Sequence, residues 1–112
     1  MPRLVGNARA LGLTLLGNKL PAEDAAAWGM IWQCVPDAEF AAAVDSLAEI
    51  LAAAPTRGLA ATKAAIRGSW QRSLAEQLDI ERDVQRELGR SNDYAEGVAA
   101  FIEKRSPRFT GR

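Results

Sequence analysis

The chain contains no histidine. That absence removes the usual general base near neutral pH, the Ser-His-Asp triad and most zinc sites together. Cysteine occurs once, at Cys34, so no disulfide can form within the chain. Such sparing cysteine use fits a reducing, cytoplasmic setting. Cys34 lies in the apolar run Ile31-Trp32-Gln33-Cys34-Val35. With no imidazole to activate it, it reads as a buried, inert thiol rather than a nucleophile. An excess of charge of either sign is also lacking: 14 Lys and Arg balance 14 Asp and Glu. A general nucleic-acid binder would be basic overall, so none is expected as a partner. No apolar run is long enough to span a membrane. The N-terminal stretch loosely imitates a signal peptide, but Asn7, Arg9 and Gly12 interrupt it, and it reads as a helix. There is no glycine-rich phosphate loop, CxxC, HExxH or GxSxG motif, and neither metal nor cofactor is expected.

What is present is helical periodicity. The 112 residues are 48% hydrophobic, enough for one small domain and too apolar for disorder. A first helix is predicted over Gly6 to Leu16, with Ala8, Leu11, Leu15 and Leu16 on one side and Gly17 as its stop. A second covers Pro21 to Trp28. Proline opens it, Glu23 and Asp24 lie in its first turn, and Gly29 ends it. Met30 to Val35 is short, apolar and bounded by Gly29 and Pro36, which predicts a strand. Nothing else in the chain reads as a partner strand for it.

A third helix is predicted from Ala38 to Ala53, with Asp37 as N-cap and Phe40, Val44, Leu47 and Leu51 as its stripe. A fourth starts near Thr56 and places Leu59, Ile66 and Trp70 on one side. Ser73 and Glu76 form a capping box for a fifth, which runs to Leu88. Its pairs Asp79/Arg82 and Asp83/Arg86 read as a solvated face rather than a catalytic pair. A sixth starts at Ser91 as N-cap and ends before Pro107, with Tyr94, Val98, Phe101 and Ile102 on one face. Lys104 follows Phe101 by three residues, so a ring and an ammonium can share the last turn. That pairing suits a ligand with a flat base and a phosphate. It also suits a core aromatic beside a cation at a helix C-terminus. Lys104, Arg105, Arg108 and Arg112 form a basic tail that could take one anion. Trp28, Trp32 and Trp70 read as core or subunit interface.

Several blocks, in order, resemble the C-terminal part of the crotonase family, the enoyl-CoA hydratases and isomerases. They are PRLVGNARALGLTLLGNKL, PAEDAAAWGMIWQCVPD, the segment around Thr62-Lys63, and EGVAAFIEKRSPRFTGR. AWGMIWQCV and the stretch from Gln77 to the end look like the family's phenylacetate-degradation branch, which isomerises ring-1,2-epoxyphenylacetyl-CoA. The resemblance implies a mainly α fold: the C-terminal helical region of a crotonase (ClpP/crotonase-like spiral) fold. It implies about six helices and one short strand, with the N-terminal ββα spiral missing. Residues 1–36 would end the crotonase core and 37–112 would form a helical trimerisation region.

The missing spiral would supply the oxyanion hole for a thioester enolate and the acid and base residues. No catalytic residue carries over. Phe101 and Lys104 match the aromatic and lysine that help hold the adenine and phosphate end of CoA, often from a neighbouring subunit. Where some members place a second aromatic, this chain has Gln85 or its neighbours. The expected partners are an acyl-CoA substrate and further copies, as a trimer or hexamer. CoA would enter as part of the substrate and not as a cofactor.

Overall fold

The computed structural model describes residues 1–112 as six α-helices and one 3-10 turn, in two compact units, Met1–Val44 and Asp45–Arg112. No helix is long and apolar enough to cross a membrane.

In the first unit, α1 (Pro2–Leu16) is broken at Gly6, whose φ of 80° and ψ of 165° are open to glycine alone. Helical pairing therefore begins earlier than the predicted Gly6, and bends there. Gly17 closes α1 in the left-handed region, its N–H donating to the Leu13 carbonyl. Val5 and Ala10 are buried, whereas the predicted face of Leu11, Leu15 and Leu16 is exposed. α2 (Ala22–Ala27) follows, with Glu23 and Asp24 in its first turn. Gly29 ends it at φ 72°. Its N–H donates to the Ala26 carbonyl, and that of Met30 donates to Ala25, at 3.0 and 2.9 Å.

That closure corrects the predicted strand. Met30 to Val35 forms no strand. The N–H groups of Met30 and Ile31 both turn back to the Ala25 carbonyl, so the segment begins as the end of a helix. No second strand exists to pair with the rest. Trp32, expected in a core or an interface, is 89% exposed, and Cys34 is half-buried instead of buried. Trp28 is also half-buried and lies under the Arg9 guanidinium, 4.9 Å from the ring centroid.

A 3-10 turn (Asp37–Glu39) leads into α3 (Phe40–Ala52), within which the division between the units falls. Asp37 makes no side-chain cap: it lies inside the turn that Pro36 opens. The Phe40, Val44, Leu47 and Leu51 stripe is present, but all four are exposed.

In the second unit, α4 (Thr56–Ser69) packs against α5 (Leu74–Leu88). The Gln77 amide, donating to the Ala65 carbonyl at 3.4 Å and accepting from Arg72 at 3.1 Å, ties the pair and its turn together. The Ser73/Glu76 capping box forms as the sequence predicts. The Ser73 main-chain and hydroxyl donors hold the Glu76 carboxyl below the usual carboxylate range. Arg82 pairs with Asp79 at 2.7 Å and Arg86 with Asp83 at 3.4 Å, all well exposed. α6 (Asn92–Glu103) starts at Ser91, whose hydroxyl accepts from the Tyr94 N–H at 3.1 Å.

Candidate functional site

α6 and the residue that caps it carry the predicted binding residues, Phe101 and Lys104, and the helix end is built in an unusual way. Lys104 adopts φ 53° and ψ 40°, the left-handed conformation that usually falls to glycine. A non-glycine residue there costs about 1–2 kcal/mol. The conformation lets the Arg105 N–H reach the Ala100 carbonyl at 3.0 Å and satisfies the helix end. It also turns the chain back along α6.

The returning tail is tied down at every stage. Arg105 grips Glu96 with two nitrogens at 2.6 and 2.9 Å and reaches Glu103 at 2.6 Å. The Arg108 N–H donates to Glu96 at 2.7 Å. Those contacts, Arg105 first, hold the Glu96 carboxyl down at about 2, and its two carboxylate partners raise Arg105 further. The Thr110 and Gly111 N–H groups donate to the two oxygens of Asp93 at 2.7 and 2.8 Å. Asp93 is 6% exposed, and its own N–H donates to the Arg112 carbonyl at 2.9 Å. The tail predicted as a basic cluster is therefore a strap, and its Arg105 charge is matched within the chain. The sequence signal for it was Asp93 and Glu96, three residues apart on one helical face.

A mostly apolar cleft of about 420 Å³ opens between α4, α5, α6 and the strap. Tyr94, Val98 and Phe101 of α6 line one side, with Phe109 of the strap beside them. Gln85 and Leu88 of α5, and Pro55 and Arg57 ahead of and within α4, line the rest. Gln85 thus shares a cleft with Phe101, at the place where the second aromatic was sought. Phe101 is 86% exposed, so its ring is not core. Ile102, predicted on the same face, does not line the cleft. Nor does Lys104, which is exposed at the strap's start. The cation in the cleft wall is Arg57, paired with Glu87 and not singled out by the sequence pattern. Such a cleft offers flat apolar surface, one guanidinium and one amide. It contains no general base: its one acidic lining residue, Asp93, spends both oxygens on the strap.

Comparison with known proteins bears on what the cleft serves. The chain is 55% identical, over all 112 residues, to a 1,2-epoxyphenylacetyl-CoA isomerase of Escherichia coli (strain K12), covering 43% of that protein. It is 46% identical to a probable enoyl-CoA hydratase of Rhodobacter capsulatus, covering 44% of it. The chain thus spans less than half the length of these relatives. Among solved structures, enoyl-CoA hydratase EchA1 of Mycobacterium marinum matches with a TM-score of 0.89 at 36% identity, over 100% of this chain and 44% of that one. An enoyl-CoA hydratase of Mycobacterium tuberculosis H37Rv gives 0.89 at 32% identity, over 100% and 44%. The sequence profile described as enoyl-CoA hydratase/isomerase matches from residue 1 to residue 112, and the chain belongs to that family.

Proposed function

We propose that this chain is the C-terminal part of an enzyme acting on a CoA thioester, with ring-1,2-epoxyphenylacetyl-CoA as the substrate to be isomerised. The observation that carries the reading is the 55% identity, along the whole chain, to a 1,2-epoxyphenylacetyl-CoA isomerase. The cleft supports a role in holding the nucleotide end of CoA. Phe101 offers a free ring face there and Gln85 an amide, while Lys104 presents an exposed ammonium outside the cleft, just past the end of the same helix. Residues 1–36 would complete the catalytic core, and residues 37–112 would bring subunits together as a trimer or hexamer. Enolate chemistry would be done elsewhere, because the one acidic residue lining the cleft, Asp93, spends both oxygens on the strap. The purified chain is therefore expected to show no turnover of epoxyphenylacetyl-CoA by absorbance assay. Measurable turnover by the chain alone would refute this division of labour.

One observation favours a second reading. The apolar stripe of α3 is exposed along its length. A helical module without activity of its own could lay that stripe on an intact family subunit. Sedimentation of the chain mixed with an intact relative decides it, and the absence of any mixed species would count against it.

A further inference from the structure

Asp93 and Glu96 play no part in the proposed ligand contact, yet both carboxylates are fully engaged. Every tether they make ends on the strap. Glu96 fixes the Arg105 side chain and the Arg108 N–H. Asp93 fixes the N–H groups of Thr110 and Gly111. Phe109 lies between two residues whose amides are held, Arg108 and Thr110. Pinning the amides on both sides restrains the backbone of Phe109, and with it the direction in which its side chain leaves the strap. The Phe109 ring comes to rest over Gly97, where a Cβ would stand 3.6 Å from the nearest ring carbon. From there it walls the cleft that Phe101 lines. Charge-assisted hydrogen bonds to carboxylates are among the stronger tethers available to a short tail.

We propose that Asp93 and Glu96 are positioning residues that hold Phe109 as a fixed wall of the cleft. The strap, and not α6 alone, then sets the width of the flat slot beside Phe101. What the slot holds rests on the CoA reading above. That the two carboxylates place Phe109 does not.

Ring-labelled phenylalanine, which stays observable by NMR in an oligomer, tests the proposal on the chain without ligand. The wild type should show a nuclear Overhauser contact between the Gly97 α-protons and the Phe109 ring. Asp93→Ala should lose it and exchange the Thr110 and Gly111 amides roughly tenfold faster or more, as expected for a lost hydrogen bond to a charged group. A ring contact that survives Asp93→Ala overturns the proposal. Should that variant not fold, Glu96→Ala, which leaves no acceptor for the Arg108 N–H, gives the same readout at Arg108, and an unchanged contact there has the same force. Phe109→Leu separates cause from consequence. Its Thr110 and Gly111 amides should stay slow, because the tethers are main-chain, and fast exchange would show the ring holding the carboxylates instead. Lys104→Ala should leave the ring contact in place whatever it does to CoA affinity, so the two readings fail separately.

Discussion

Glu96 and Arg105 are the pair whose chemistry departs furthest from the ordinary, and Glu96 is the one whose titration reaches accessible pH. Its partners are Arg105, with two nitrogens, and the Arg108 main chain, while Glu103 shares the Arg105 guanidinium. They hold its carboxyl at about 2, below its ordinary 4.5. A carboxyl depressed on folding adds stability that is complete above the unfolded value and lost as pH falls through the folded one. The strap's contribution is therefore present above about 4.5 and fades towards pH 2. The difference in Tm between the wild type and Glu96→Gln should be full at pH 7 and close to zero at pH 2. Added salt should shrink it, because the pair is partly exposed. A difference that is the same at both pH values would contradict this. Arg105 was legible in the sequence as a cation but not as a paired one, since its partner lies nine residues back and is reached only after Lys104 reverses the chain.

At the level of elements, the helices with local signals were the most legible. The α5 start is fixed by Ser73 and Glu76 themselves, through contacts no more than three residues apart. Ser73→Ala should destabilise α5 by about 1 kcal/mol. Urea unfolding followed by circular dichroism should show it as a lower midpoint, and an unchanged midpoint would mean that the cap is redundant. Ser91 and Gly17 were equally visible, for the same reason. The elements misread depend on something local pattern does not carry. Met30 to Val35 has a strand's composition, but α2 claims its first two amides and no partner strand stands beside it. Asp37 has a cap's position, but a 3-10 turn absorbs it. The strap has no periodicity at all, and its order comes from contacts up to nineteen residues apart in sequence.

For the whole molecule, the decisive fact is how little is buried. Val5, Ala10, Ala25 and Ala100 are the only buried apolar residues, and none is larger than valine. The chain exposes 9040 Å². A compact monomer of this length would expose roughly 6000 Å². The apolar stripes read from the sequence are real, but the chain holds nothing to lay over them. A surface of this kind associates. Light scattering should show the particle mass rising with concentration, and a strict monomer at high concentration would contradict it. Family membership extends over the whole chain, while the relatives are more than twice as long. This is why sequence resemblance could name the fold when burial within the chain could not.

The proposal that the chain grips the nucleotide end of a CoA thioester is tested most directly by titrating CoA into wild type and Lys104→Ala by calorimetry. A contact between an ammonium and a phosphate is worth about 1.5–3 kcal/mol. The substitution should therefore weaken binding roughly tenfold to a hundredfold, with helix content unchanged. Equal affinities for the two proteins, or no binding by the wild type, would contradict the account.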